Sequence, residues 1–212
     1  MTVASDQAKI EQWLNAKPDT ESVAGFVPGP GISKLDMTVD IDQLNADLRA
    51  ILEKTAYHGE AFKVLPVNHR PGNPDLSATD LSGRYYLRLA SGEDEVAMEE
   101  LVDEAAYTEL NPVFIGTAFE DVYTQLKARF TLGRMRVLSK AVYSCNSWHR
   151  DPEPRIHIPL VTNPGSLFIV NHHATHLPAD GSVYFTDTRG YHTALNGGVE
   201  DRVHIVAAIA NS

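Results

Sequence analysis

From Leu132 onwards the chain carries six short β-rich runs, at 134–143, 155–162, 166–171, 182–187, 190–195 and 202–209. Turn clusters separate them, at Asn163-Pro164-Gly165, Pro178-Ala179-Asp180-Gly181 and Asn196-Gly197-Gly198. Many short strands joined by tight turns have few ways to bury their apolar faces, and an antiparallel sandwich or jelly roll is the main one. Six strands are too few for an eight-stranded roll. The first half is therefore expected to lend strands around 23–27, 63–66 or 84–89.

The first half otherwise reads as helix and loop. Residues 5–16 place Ile10, Trp13 and Leu14 at helical spacing behind a Ser5-Asp6 cap signal. Val39-Asp40-Ile41-Asp42 opens a second helix with Ile41, Leu44, Leu48, Ile51 and Leu52 as its apolar stripe. Pro, Gly, Asn, Asp and Ser dominate 66–82, which reads as a long loop, and 84–89 alternates like a strand. Acidic stretches at 94–107 and 117–130 read as helices whose charges form solvated faces. The expected class is α+β, in one domain spanning 1–212: a helical elaboration with a few supporting strands (1–131) packed on one sheet of a β core (132–212).

A net charge of −10 argues against nucleic acid or an anionic membrane surface as the main partner. No apolar run is long enough to span a bilayer, and the start lacks the basic and apolar regions of a secretory signal. A cytoplasmic protein is expected. Cys145 is the only cysteine, which excludes an internal disulfide and a cysteine-based zinc site; it reads as a small buried apolar residue. Six of the nine histidines crowd between 149 and 192.

Three constellations carry chemistry. In extended chain, residues two apart point to the same side, so His149 and Asp151 can face one ion. Alone, a His-x-Asp pair reads first as a surface hydrogen bond. The His149-Arg150-Asp151 string is also that of a protein kinase catalytic loop, but no Gly-rich loop, following Asn or Asp-Phe-Gly accompanies it. A turn centred on Gly197 predicts a hairpin that sets His192 opposite Arg202 with both side chains on one face. Such a hairpin could hold only a satisfied core His and an exposed Arg, whereas an inward Arg calls for an anion such as a bound carboxylate. In the third run, alternation sends Ile156, Ile158 and Leu160 to one face and Arg155, His157 and Pro159 to the other. A cationic pair on an inner face again calls for an anion.

The run from Gly133-Arg134 through His149-Arg150-Asp151, Arg155-Ile156-His157-Ile158-Pro159-Leu160 and Thr162-Asn163 resembles the aspartyl/asparaginyl β-hydroxylase superfamily, which includes free-proline hydroxylases. So does the later run of Gly181, Phe185-Thr186-Asp187, His192, Asn196 and Arg202-Val203-His204-Ile205-Val206. The resemblance covers about 75 residues, and the first 130 lie outside it. It implies a double-stranded β-helix (a cupin-like jelly roll) holding Fe(II) on a 2-His-1-carboxylate triad of His149, Asp151 and His192. It implies Arg202 as the partner of the far carboxylate of 2-oxoglutarate, and Arg155 and His157 as a pair that also reaches this cosubstrate. Vertebrate-type aspartyl hydroxylases lack the carboxylate ligand; Asp151 is present here, as in the proline hydroxylase branch.

The activity then expected is dioxygen-dependent hydroxylation of an unactivated C–H bond in a free amino acid or small amino-acid-like molecule. The alternatives are hydroxylation of Asp or Asn residues in a peptide or protein, and a non-catalytic β-helix module that binds a small carboxylate. Asp151 stands where an iron halogenase leaves room for chloride, so hydroxylation is expected and chlorination is not. Arg84, Arg88, Tyr143 and Arg189 are candidate pocket walls, with 66–82 and 172–181 as mobile loops at the mouth. His172, His173 and His176 read as loop histidines, with a second metal site as the alternative.

Overall fold

The computed structural model describes residues 5–15, 25–59, 62–74, 76, 84–87, 95–98 and 101–210, with backbone only at 13–15, 84–87 and 95–98. Helix α1 spans Asp6–Asn15. Strand β1 (Ile32–Thr38) and helix α2 (Ile41–Leu52) follow. Asp40 caps α2 by accepting from the Gln43 amide at 2.9 Å, and Leu44, Leu48 and Ile51 bury its apolar stripe. Next come β2 (Phe62–Pro66), β3 (Asn68–His69), β4 (Arg84–Leu87), β5 (Glu95–Met98), a 3₁₀ turn at Glu104–Ala106, and β6 (Glu109–Leu110). Helix α3 (Ala118–Arg129), capped by Thr117, buries Phe119, Val122, Tyr123 and Leu126. No described helix is long and apolar enough to cross a membrane.

The second half is strand after strand: β7 (Leu132–Lys140), β8 (Ser144–Cys145), β9 (His149–Arg150), β10 (Arg155–Val161), β11 (Ser166–Val170), β12 (His173–Thr175), β13 (Ser182–Thr186), β14 (His192–Asn196) and β15 (Arg202–Ile209). They form two antiparallel sheets. One has the order β1-β13-β10-β15-β7-β2; the other runs β12-β11-β14-β9-β4-β5, with β8 also on β14. From β9 onwards the chain passes back and forth between the sheets, which makes the fold a double-stranded β-helix.

The larger core lies outside this roll, between the first sheet and the helices. Ile156, Ile158 and Leu160 of β10, Met135 and Val137 of β7 and Ile205 and Ala207 of β15 pack there with Leu44, Leu48, Phe119 and Leu126. Fully burying such a side chain stabilises the fold by about 1.5–3 kcal/mol, so Ile158→Ala would cost about 2–5 kcal/mol including its cavity. Period-two alternation then sends the other residues of these strands inwards: Arg134, Arg136, Leu138 and Lys140, Arg155 and His157, Arg202, His204 and Val206.

Several expectations need correction. The Gly197 turn is not a hairpin: β14 and β15 belong to different sheets, so His192 pairs with Val170 and His149, and Arg202 with Lys140. The cause is a doubled crossover, in which the Gly197 amide donates to the Gly165 carbonyl at 2.9 Å. A Cβ on Gly165 would stand 2.6 Å from the Gly198 nitrogen. The two passages between sheets are packed backbone to backbone.

Residues 95–98 are strand and 104–106 a 3₁₀ turn, so no helix covers the described part of 94–107, and Glu104 is buried rather than solvated. Its burial answers two arginines, a tertiary demand that a charge pattern does not reveal. Of the three places expected to lend strands, 63–66 and 84–87 do and 25–27 does not, while Ile32–Thr38 and Glu95–Met98 join the two sheets unforeseen. Cys145 is exposed. The side chains of Trp13, Leu14 and Arg84, all of Arg88, and residues 75 and 77–82 of the long loop lie outside the described residues.

Candidate metal centre

His149 and His192 are set opposite each other by pairing of β9 with β14, and their ring centroids stand 4.3 Å apart with the planes tilted by 54°. Asp151 follows β9 immediately, and its amide donates to the Thr188 carbonyl at 2.8 Å. That fixes the chain where it leaves the strand, with residues 149 and 151 turned the same way. The His149 Nε2 lies 4.0 Å from Asp151 Oδ1 and the His192 Nε2 3.7 Å from Oδ2. One ligand atom from each of the three lies within 4.8 Å of the others, and all three residues are buried.

The tautomers suit a metal. His149 Nδ1 donates to the Ser147 carbonyl at 2.7 Å and His192 Nδ1 to the Gly190 carbonyl at 3.0 Å. A carbonyl can only accept, so the proton sits on Nδ1 and the bare Nε2 of each ring turns towards Asp151. Two imidazole nitrogens and one carboxylate on one side of a cavity fit a divalent iron that keeps open positions. Phe168 stacks on the His192 ring at 5.7 Å and meets His157 at 5.1 Å, which walls the rings with hydrocarbon.

Asp151 is held from behind by charge. Arg155 Nε donates to its Oδ2 at 3.1 Å, while Arg155 Nη1 reaches Glu153 at 2.6 Å and Glu104 at 3.5 Å. Glu104 in turn accepts from the Arg134 amide at 2.7 Å and from its Nε and Nη2 at 2.8 and 2.6 Å. Burial alone would raise the Glu104 carboxyl, but Arg155 and Arg134 outweigh it and hold the group at about 2. Arg155 stays charged against its burial because Asp151, Glu104 and Glu153 surround it. Its Nε and Nη1 thus bond carboxylates, and the residue also lines the cavity that the triad shares.

Arg202 differs. It is 5% exposed, lines the same cavity as the triad, and among the described residues pairs with no carboxylate. Among the described residues, its Nε and Nη2 reach the His204 ring, at 3.0 and 2.8 Å. Burial lowers its pKa to about 10, so the guanidinium is still charged at neutral pH. His157 lies 3.5 Å from His204. Burial first, and then Arg202, keep both rings neutral.

The remaining candidates sit elsewhere. Tyr143 is exposed, and Arg189 pairs at the surface with Asp187 at 2.7 and 3.0 Å. The stretch 172–181 is no loose mouth loop: 173–175 form β12, and Thr175, His176 and Leu177 are buried. His173 bonds the Val27 carbonyl and His176 the Ser166 carbonyl, and among the described residues neither joins a second metal cluster. Glu104, Lys140 and Phe168 were not singled out from sequence. Lys140 could have been, because β7 read as a strand and the apolar Met135 and Val137 leave Arg134, Arg136 and Lys140 to the opposite face.

A double-stranded β-helix with a buried His-Asp-His cluster lining its cavity defines the class of molecule. No family model matches the sequence, and no curated protein sequence does. Among solved structures, the fold matches that of a Burkholderia pseudomallei oxidoreductase described as of the 2OG-Fe(II) oxygenase family. The TM-score is 0.54 at 14% identity, covering 100% of this chain and 92% of that one. A viral collagen prolyl hydroxylase from Paramecium bursaria Chlorella virus-1, solved as a 2OG complex, gives 0.49 at 10% identity over 85% of this chain and 96% of its own. A Pseudomonas putida prolyl-4-hydroxylase gives 0.48 at 10% identity over 91% and 97%.

Proposed function

We propose that the protein is an Fe(II)- and 2-oxoglutarate-dependent dioxygenase that hydroxylates an unactivated C–H bond of a free amino acid or small amino-acid-like molecule. The observation that carries the reading is one cavity holding a His-Asp-His cluster and a buried Arg202 that no carboxylate among the described residues neutralises. His149, Asp151 and His192 would hold the iron. With 2-oxoglutarate and dioxygen bound, the metal supplies oxidation of substrate C–H to C–OH, coupled to conversion of 2-oxoglutarate to succinate and carbon dioxide.

The chain's own residues bind, orient and exclude water. Arg202 offers a planar two-point donor to the far carboxylate of the cosubstrate. The neutral ring of His204 backs that guanidinium without adding charge, and His157 in turn backs His204. Arg155 serves Asp151, and Phe168 keeps solvent from the flank of His192. A small substrate suits a cavity whose charged lining residues, Arg136, Asp151, Arg155 and Arg202, are all buried between two opposed sheets.

The test is substrate-stimulated succinate release from 2-oxoglutarate with Fe(II), screened over free amino acids and short peptides. Stimulation by a free amino acid, abolished in His192→Ala, is the expected result. Stimulation by peptides alone moves the substrate to Asp or Asn residues in a chain. No succinate with any candidate, together with tight 2-oxoglutarate binding, leaves a non-catalytic carboxylate-binding module.

A further inference from the structure

Arg202 has a buried cationic neighbour that is likewise unanswered. Lys140 is its register partner across β15 and β7, is 3% exposed, and among the described residues pairs with no carboxylate. Its ammonium donates to Asn146 Oδ1 and lies 5.7 Å from the Phe62 ring centroid. Asn146 and Phe62 line the cavity together with Arg202. The strand end is fixed as well, since the fully buried Asn196 donates to the Lys140 carbonyl at 3.2 Å.

The charge count sharpens this. Among the described residues, the buried Arg and Lys are Arg134, Arg136, Lys140, Arg155 and Arg202, while the buried carboxylates are Glu104, Asp151 and Glu153. Arg134 and Arg155 take those carboxylates directly, and Arg136 acts on Glu104. The surplus is the Lys140–Arg202 pair. Two like charges buried side by side are costly unless an anion joins them.

We propose that Lys140 and Arg202 form a two-cation clamp for one carboxylate, which selects a dicarboxylic 2-oxo acid over a monocarboxylic one. The inference rests on the 2-oxoglutarate reading above and adds a second binding residue to it. The guanidinium supplies a fixed fork. The ammonium, a point charge with three rotatable donors, holds Asn146 with one and has others for the ligand.

The experiment is anaerobic titration of the Fe(II) protein with 2-oxoglutarate and with 2-oxobutyrate, read from the metal-to-ligand charge-transfer band. A parallel readout is the thermal shift that glutarate gives the metal-free protein. Wild type, Lys140→Met, Lys140→Arg and Arg202→Ala are compared. Loss of one charge-assisted hydrogen bond corresponds to about a tenfold change in affinity. Lys140→Met should weaken 2-oxoglutarate by about that factor, reduce the glutarate shift and leave 2-oxobutyrate unchanged, with Lys140→Arg restoring most of the loss. Should Lys140→Met not fold, Lys140→Gln, which keeps a donor for Asn146, gives the same reading. Wild-type 2-oxoglutarate affinity in the neutral variant, with Arg202→Ala weakened, overturns the clamp and leaves the cosubstrate reading standing. Equal weakening of both oxo acids also overturns it. If neither Arg202→Ala nor the Lys140 variant weakens 2-oxoglutarate, the cosubstrate reading falls with it.

Discussion

Arg155 stands four residues after Asp151 and donates from Nε to its Oδ2 at 3.1 Å, while its Nη1 is held by Glu153 and Glu104. The carboxylate expected to bind metal is therefore oriented by a guanidinium that is itself fixed from the far side. Groups that orient metal-binding side chains typically matter by about 10–100-fold in metal affinity. Arg155→Lys, which keeps the charge and loses the fork, is expected to weaken Mn(II) binding by about tenfold, read by electron paramagnetic resonance. Wild-type Mn(II) affinity in that variant would show that the contact does not position Asp151.

Glu104 anchors this chain of charges, and its worth is measurable in acid. Its carboxyl is depressed from 4.5 to about 2 in the folded protein, against the effect of burial, by Arg155 and Arg134. A depressed carboxyl contributes stability that is present above its unfolded value and lost as pH falls through the folded one. The loss should thus run from about pH 5 down to about pH 2. Glu104→Gln strands Arg134 and should cost roughly 3 kcal/mol at neutral pH, with a shallower acid limb. Urea midpoints at pH 7 and pH 3 check this: the gap between variant and wild type must shrink in acid.

What the sequence made legible follows the reach of its signals. Alternation in β10 placed Ile156 and Ile158 on the core and Arg155 and His157 inside, because a buried strand has only two faces. The His149-x-Asp151 pairing was legible for the same reason. The Gly197 turn was misread because local turn chemistry does not say whether the next strand returns to its own sheet or crosses to the other. His192 and Arg202 still share a cavity, but from opposed sheets instead of neighbouring strands. Glu104 was hidden altogether, since its partners lie 30 and 51 residues away.

The doubled crossover that corrects the hairpin is itself testable. A methyl group on Gly165 would meet the backbone of Gly197 and Gly198 at 2.6–3.1 Å, with no flexible side chain to yield. Gly165→Ala is expected to destabilise by about 1–3 kcal/mol, in the range of overpacking. Because this loop packs against the passage from β14 to β15, the variant should also loosen the placement of Arg202 relative to His192. Weaker 2-oxoglutarate binding under conditions where the protein is still fully folded is the expected outcome. Unchanged stability would mean that the two crossings are not in contact.

A last consequence concerns pH. Burial first, and then the neighbouring Arg202, pull the Lys140 ammonium down to about 8, with the nearby Cys145 thiol acting in the opposite sense. The other groups against it, Asn146 and the Phe62 ring, do not titrate. A lowered lysine is charged below its folded value and neutral above it, so a carboxylate ligand meets two cations below pH 8 and one above. A bound anion favours the ammonium and raises its pKa, so binding above pH 8 takes up a proton. Affinity for glutarate should be flat from about pH 6.5 to 7.5 and fall beyond pH 8, by up to about tenfold per unit until the bound-state value is reached. Lys140→Met should lie below wild type on the flat part, lack the fall, and meet the wild-type curve at high pH. Calorimetric titration of the metal-free protein with glutarate in two buffers of different ionisation enthalpy reads both the affinity and the proton uptake. The same alkaline fall in Lys140→Met would assign that pH dependence to another group.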